Sequence, residues 1–167
     1  SYKPLWLEPP ALIPKRAPHE VHRKDIFNLV PDVEVDLAYF DPPYGSNNEK
    51  MPPSRVRYAA YYHLWTSVCL NDQPELFGKA KRRSDTSDVV APSVFEEFRR
   101  NESGRLIAVE SIRQVLKKTK ARHILLSYSS GGRATAEELN AVIAENGKLL
   151  EAREIDHRKN VMADMRW

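Results

Sequence analysis

The amino-acid sequence predicts an α/β domain in which helices connect strands that pair mainly in parallel. Two segments, 33–40 and 123–128, are short, mostly apolar and bounded by turn residues, as buried strands are. Between them, segment 104–120 has the apolar spacing of an amphipathic helix. The 167 residues are enough for one domain with a modest core.

The start of the chain is expected to be an extended arm or a connection, because residues 1–20 contain five prolines and no sustained periodicity. The domain itself is expected over 21–167. Its first part, 20–30, favours a short strand, a turn at Lys24–Asp25 and a brief helix. Segment 33–40 is apolar on both faces, which predicts a strand buried on both faces of a parallel or mixed sheet.

Helices and one loop are predicted for the middle of the chain. Apolar residues at helical spacing indicate a helix over 58–70, and a charged, exposed loop is expected over 71–91. Ser93 followed by Glu96 forms a capping-box pattern that opens a short helix. The helix over 104–120 places four apolar side chains on one face: Val109, Ile112, Val115 and Leu116.

The last third of the chain predicts a strand, a helix and a further strand. The apolar segment 123–128 is the first of these. Thr135 and Glu138 repeat the capping-box pattern, and Gly147 is a suitable helix stop. Segment 148–156 is predicted to be a third strand.

Composition excludes several classes of protein. With 41% hydrophobic and 29% charged residues, the chain has the composition of a soluble globular protein rather than a disordered one. Cys69 is the only cysteine, which excludes an internal disulfide and a cysteine-based zinc site. The histidines show no metal-ligand spacing, so no metal is expected. The apolar runs are short and interrupted by charges, which predicts a cytoplasmic protein without a membrane span or secretory signal.

Positive charge is concentrated in two places, although the net charge is only +3. Such local clusters attract polyanions. Two interpretations remain open, a solvated loop and a surface that contacts DNA phosphates. The residues concerned, in "RVR" and "KAKRR", are Arg55, Arg57, Lys79, Lys81, Arg82 and Arg83.

The stretch "DPPY", 41–44, follows directly after the predicted strand 33–40. In open α/β sheets, ligands bind beyond the carboxyl ends of the strands. The prolines stiffen the loop and leave carbonyl oxygens without competing amide donors. Asp41 and a proline carbonyl could therefore both accept hydrogen bonds from one planar amino group, while Tyr44 stacks on the ring that carries it.

This arrangement suits methyl transfer to a nucleobase amine. The exocyclic amine of adenine or cytosine is a poor nucleophile, because its lone pair is delocalised into the ring. Two acceptors favour a more tetrahedral nitrogen and stabilise the positive charge that develops on it. A base in a duplex must first be flipped out of the stack, at a cost of a few kcal/mol.

At these residues the sequence resembles the amino-directed DNA methyltransferases that use S-adenosylmethionine, specifically the adenine-N6 type and its Dam-like branch. The resemblance is carried by "DLAYFDPPY", "YAAYYHLWTSVCLND", "LFGKAKRR" and "HILLSYSSGGRATAEEL". It extends over most of the chain from about residue 21. It implies a Rossmann-like fold and a role in a restriction–modification system.

The resemblance also implies roles for individual residues. In the motif formed by Asp41, Pro42, Pro43 and Tyr44, Asp41 and Pro42 would hold the adenine amino group and Tyr44 would stack on the base. An aspartate at the first motif position is typical of adenine enzymes. Asp25 would correspond to the acidic position near the cofactor's adenine, although a turn or helix-cap role is an equal alternative.

One departure from the family pattern is large. The glycine-rich turn that wraps the methionine part of the cofactor does not occur in these 167 residues. We therefore expect the catalytic-motif portion of an incomplete Rossmann-like methyltransferase, either a fragment, one half of a split enzyme or a chain with segments removed. Such a chain is expected to have little activity without a complementing chain that carries the turn.

Three alternative functions remain from the sequence. The same pair of hydrogen bonds to an amino group could serve methylation of adenine in RNA, or of cytosine at N4. The missing glycine-rich turn would also fit a non-catalytic DNA-binding subunit that retains the fold.

Overall fold

The fold is taken from a computed structural model that describes residue 11 and residues 18–45, 58–87, 93–97 and 99–155. Helices accompany a parallel pair of strands, which confirms the α/β class. Within these ranges, no helix has the length and apolar content needed to cross a membrane. The helices are α1 (Ile26–Leu29), α2 (Tyr58–Tyr61), α3 (His63–Leu70), α4 (Ile107–Lys118) and α5 (Ala136–Asn146), and the strands are β1 (Glu34–Phe40), β2 (Leu76–Phe77), β3 (Arg82–Arg83) and β4 (Lys120–Leu126).

The central sheet of the described part pairs β1 and β4 in parallel. The register runs from Glu34 opposite Lys120 to Phe40 opposite Leu126. A parallel pair requires a crossover connection between its strands. The longest helix of this connection is α4, which leads directly into β4. Because the two strands run in the same direction, the loops that follow Phe40 and Leu126 emerge at the same edge of the sheet.

The core lies between one face of this sheet and helices α4 and α5. All four apolar residues predicted to share a face of α4 are buried, which confirms that prediction. Lys117 and Lys118 occupy the last turn of α4, where cations complement the helix dipole. The buried cluster consists of Val109, Ile112, Leu116, Ala134 and Val142, with Phe40 and Leu126 of the strands packed against it.

The opposite face of the sheet is open. Val35, Leu37 and Tyr39 alternate with the core-facing residues of β1 and are 40%, 60% and 59% exposed. On β4, Leu125 lies beside Tyr39 on the same face and is 55% exposed. The prediction that segment 33–40 is buried on both faces is therefore wrong for this structure. Apolar content shows which faces suit burial, but it does not show what covers them.

Several other elements differ from their predictions. Residues 148–155 form no strand, because no described neighbour offers them a ladder of backbone hydrogen bonds, and residues 21–25 are also irregular. The predicted helix 58–70 is divided into α2 and α3 at Tyr62. The expected loop 71–91 contains a hairpin of β2 and β3. Most of the predicted arm, residues 1–10 and 12–17, lies outside the described residues.

The two capping-box patterns have different outcomes. At α5, the Thr135 side chain accepts from the backbone of Glu138 while the Glu138 carboxylate accepts from the backbone of Thr135, which confirms the prediction. Gly147 occupies the C-cap, also as predicted. Ser93 caps a 3₁₀ turn, Val94–Glu96, rather than an α-helix.

Candidate active site

The candidate site is the loop that follows β1, residues 41–45. β1 ends at Phe40, where Pro42 and Pro43 prevent the backbone from donating to a continued ladder. Asp41 is exposed and Tyr44 is half-buried. The phenol of Tyr44 donates a short hydrogen bond to Oδ1 of Asp41. The structure therefore brings together the carboxylate and the ring that the sequence singles out.

The loop after β4 holds this site in place. The backbone N–H of Arg133 donates to the carbonyl oxygen of Tyr44 over 2.8 Å. The phenol of Tyr128 donates to the same oxygen over 3.3 Å and accepts from the N–H of Ala134 over 3.1 Å. Ser127 N–H donates to the carbonyl oxygen of Phe40 over 2.9 Å. Backbone bonds of this kind fix the loop whatever side chain Arg133 carries.

Gly45 allows the two loops to approach each other. Its φ of +62° lies in the left-handed region, which L-residues with a Cβ rarely adopt. A Cβ built there would lie 2.9 Å from Cγ of Arg133 and 3.2 Å from Cα of Glu96. Both the backbone conformation and the available space therefore require glycine at the position after the motif.

Aromatic rings surround Tyr44. Its ring stands edge-on to that of Tyr128, with centroids 5.2 Å apart, and edge-on to that of Tyr58, with centroids 6.4 Å apart. The ring of Tyr58 is stacked on that of Tyr62 at 5.9 Å. Tyr62 is 52% exposed. These rings connect the motif with the surface of α2 and α3.

The hydrogen bond to Asp41, followed by burial, raises the pKa of the Tyr44 phenol above 10.0. Burial is the largest cause of a raised pKa at Tyr58 and Tyr128 as well. All three phenols therefore keep their protons at neutral pH. Tyr44 accordingly acts as a donor toward Asp41, and its ring is uncharged.

A cavity of about 270 Å³ lies beside the motif. Its walls come from the start of α1, the end of β1 with its loop, the 3₁₀ turn and α4. Most of them are apolar, and Asp41 is the carboxylate that borders it. The lining residues are Ile26, Tyr39, Phe40, Asp41, Pro42, Pro43, Phe95, Ile112, Val115, Leu116 and Leu126.

Asp25 lies at the N-cap of α1, next in sequence to Ile26 of the cavity wall. Its carboxylate accepts a hydrogen bond from the N–H of Phe27 over 2.8 Å. This is the helix-cap role that was one of the two alternatives for this residue. The cap orients the start of α1, and with it Ile26, toward the cavity.

The basic loop, residues 79–83, divides into two parts with different surroundings. Lys79 and Lys81 are exposed and Arg82 is half-buried, with its guanidinium 4.9 Å from the centre of the Phe77 ring. Arg83 is different, since only 2% of the residue is exposed. Its guanidinium donates to Asp72 and Asp85.

The expectation that Arg83 contacts DNA is therefore corrected. Its guanidinium is buried and paired with two carboxylates, so it is not presented to an external phosphate. The hydrogen bonds from Arg83 lower the pKa of both Asp72 and Asp85. Arg55 and Arg57 lie outside the described residues.

Sequence reasoning missed three residues that shape the site. Glu96, Arg133 and Tyr128 support the motif from segments that are 52 to 89 positions away from Tyr44 in the chain. Glu96 was noticed only as a capping-box residue. No local pattern links these residues to the motif. Tyr128 and Arg133 follow β4, which pairs in parallel with β1. Glu96 lies before α4 and is joined to the site by its bonds with Tyr58 and Arg133.

Comparisons with known proteins find several curated methyltransferases that are similar to this chain. No family model matches the chain, and no solved structure does. The type II methyltransferase M.FokI of Planomicrobium okeanokoites is 29% identical over 77% of this chain and 17% of its own length. The modification methylase StsI of Streptococcus sanguinis is 24% identical over 84% of this chain and 19% of its own length.

The type II methyltransferase M.NlaIII of Neisseria lactamica is 25% identical over 89% of this chain and 38% of its own length. The chain thus spans between about a sixth and two fifths of the length of these curated relatives. The chain is therefore similar to several proteins named as type II methyltransferases or modification methylases, at 24–29% identity.

Proposed function

We propose that this chain is the catalytic-motif portion of a DNA adenine-N6 methyltransferase that uses S-adenosylmethionine. One observation carries the proposal: Asp41 and Tyr44 lie together at the carboxyl end of a parallel strand, and Asp41 borders an apolar cavity. The similarity to modification methylases supports the same reaction class. The aspartate at the first motif position favours adenine over cytosine.

In this proposal Asp41 and the carbonyl oxygen of Pro42 accept the two N–H groups of the flipped adenine. A carboxylate offers about four lone-pair sites, so the bond from Tyr44 leaves Asp41 with capacity for a second donor. The ring of Tyr44 stacks on the base. The neutral phenol of Tyr44 restrains the Asp41 carboxylate by its hydrogen bond. Without that bond the carboxylate would rotate freely on an exposed loop.

The charge balance follows from this geometry. As the N6 lone pair forms the new bond to the methyl carbon, positive charge develops on the nitrogen, and the nearby carboxylate stabilises it. The amine then loses a proton to solvent. The cofactor supplies an electrophilic methyl group on a sulfonium, whose bonding pair returns to sulfur.

The cavity beside the motif suits one part of S-adenosylmethionine, its adenine ring. Its flat apolar walls, among them Ile26, Pro42 and Phe95, suit a purine ring, and its volume of about 270 Å³ suits a nucleobase rather than a whole nucleoside with an amino-acid tail. The described residues thus fit the adenine part of S-adenosylmethionine. The rest would be held by the glycine-rich turn of a complementing polypeptide.

The proposed macromolecular partner is double-stranded DNA. Lys79, Lys81 and Arg82 would contact its phosphates, together with Arg55 and Arg57. The setting would be cytoplasmic protection of a short recognition sequence within a restriction–modification system.

Two measurements test the function. Calorimetric titration with S-adenosylmethionine, with and without a candidate complementing polypeptide, should detect binding that increases in its presence. Transfer of radiolabelled methyl to defined DNA and RNA, followed by nucleoside analysis, should yield N6-methyl-2′-deoxyadenosine from DNA and no labelled nucleoside from RNA. Label in cytosine or RNA would replace the proposal with one of its alternatives, and DNA binding without any transfer would identify a non-catalytic subunit.

A further inference from the structure

Glu96 is a buried carboxylate that the proposed reaction does not use. It belongs to the 3₁₀ turn Val94–Glu96 and is only 3% exposed. Its Oε1 accepts a hydrogen bond of 2.9 Å from the backbone N–H of Tyr58, which lies 38 positions earlier. A bond from a neutral donor to a charged acceptor is among the stronger hydrogen bonds of proteins.

The same residue also contacts the loop that supports the motif. The carbonyl oxygen of Glu96 accepts from Nε of Arg133 over 3.2 Å. The backbone N–H of Arg133 in turn donates to the carbonyl oxygen of Tyr44. Glu96 therefore connects two segments that meet at the motif, namely the start of α2 and the loop after β4.

We propose that Glu96 is a positioning residue that fixes the ring of Tyr58 against the ring of Tyr44. Tyr58 is the first residue of α2, so a bond to its backbone N–H sets where the helix starts and where the side chain projects. Its ring stands edge-on to Tyr44 and stacks on Tyr62, so it contacts the tyrosine of the motif directly. That Tyr44 stacks on a base rests on the proposed function, whereas the ring geometry does not.

Glu97 provides a matched control. It is the next residue, it is 6% exposed, and its carboxylate accepts from the backbone and side chain of Arg99 rather than from Tyr58. A substitution there removes a buried carboxylate directly after the 3₁₀ turn and leaves the bond to Tyr58 intact.

The test compares Glu96→Leu, Glu96→Gln and Glu97→Leu by NMR of the chain labelled on tyrosine rings. Contacts between the Tyr44 and Tyr58 rings should disappear in Glu96→Leu and persist in Glu97→Leu. Glu96→Gln keeps an acceptor oxygen of the same reach and should retain them. Amide exchange at Tyr62, whose N–H bonds to the carbonyl of Tyr58, should accelerate by about tenfold in Glu96→Leu while α4 stays protected.

Persistent ring contacts in Glu96→Leu would overturn the proposal. Equal loss of protection in α4 would also overturn it, since Glu96 would then be a general core residue. In the complemented enzyme, Glu96→Leu should lower kcat with little change in the KM for DNA, and Glu96→Gln should restore it. If methyl transfer is absent from wild type while the NMR result holds, the proposed function fails and the positioning role remains.

Discussion

Tyr44 donates a hydrogen bond through its phenol to the carboxylate of Asp41, three residues earlier in the same loop. The bond joins the two side chains that the proposed reaction needs. It restrains an exposed carboxylate that would otherwise sample several rotamers. The carboxylate and the phenol of the motif therefore hold each other in a defined relative position.

The first prediction concerns the ionisation of Tyr44. Its phenol has a raised pKa mainly because it donates to Asp41, so Asp41→Ala should lower that pKa toward 10.0. An NMR titration of the labelled tyrosine ring carbon would measure this. Asp36→Ala, which removes another exposed carboxylate of the same strand and loop, should leave the titration unchanged. An unaltered pKa in Asp41→Ala would contradict the observed bond.

Gly45 is predicted to be intolerant of a side chain. Gly45→Ala should destabilise the fold by about 1–2 kcal/mol for the left-handed backbone, and by about a further 1–3 kcal/mol for the close contact with Arg133 and Glu96. Gly78→Ala is the control, because Gly78 has a similar φ of +68° and no atom within 4 Å of a built Cβ. Urea denaturation of both variants separates the two contributions. Equal losses would mean that the contact is relieved by movement of the Arg133 side chain.

Acid should weaken the hairpin loop. Asp72 and Asp85 have lowered pKa values because Arg83 donates hydrogen bonds to them, so their contribution to stability is present in full above their ordinary pKa of 3.8. It is lost as the pH falls through the lowered values. The difference in unfolding free energy between wild type and Arg83→Met should therefore be larger at pH 6 than at pH 2. A difference that does not change with pH would show that these ion pairs do not contribute to the free energy of unfolding.

The basic loop is predicted to contribute to DNA binding through charge alone. Replacing Lys79 and Lys81 with Gln should reduce the slope of log affinity against log salt by roughly 0.9 per lost phosphate contact. Lys117 and Lys118 at the end of α4 provide a control pair with the same change in net charge. Filter binding or fluorescence anisotropy over a range of salt concentrations measures the slope. If both pairs change it equally, the loop makes no specific contact with phosphates.

The sequence predicts the local elements of this fold better than their surroundings. The apolar spacing of α4 identifies its buried face, because a helix with one apolar stripe has one way to bury it. Strand β1 is predicted within one residue of its observed start, since prolines mark both of its ends. What the sequence could not show is that one face of β1 is open, because that depends on which other elements pack against the sheet.

Because the sequence does not show which elements pack together, it predicts only part of the candidate site. Asp41 and Tyr44 lie three positions apart in one loop, and their combination at a strand end points to their chemistry. Arg133 reaches the motif because β4 pairs beside β1 and returns the chain to the same edge. Glu96 lies before α4 and reaches the site through its bonds with Tyr58 and Arg133. Arg83 was predicted to contact DNA at the surface, but it is buried. In a run of cations it is read as a surface residue, yet its alternation along β3 turns it inward between two carboxylates.

The central claim is that Asp41 acts on the reacting amine rather than on the DNA backbone. Its most direct test is transfer of labelled methyl to adenine in DNA by the complemented enzyme, with wild type compared with Asp41→Ala. The account predicts a loss of at least about 10²-fold in kcat, while affinity for DNA stays within about tenfold. Turnover by Asp41→Ala that is comparable with wild type would contradict it.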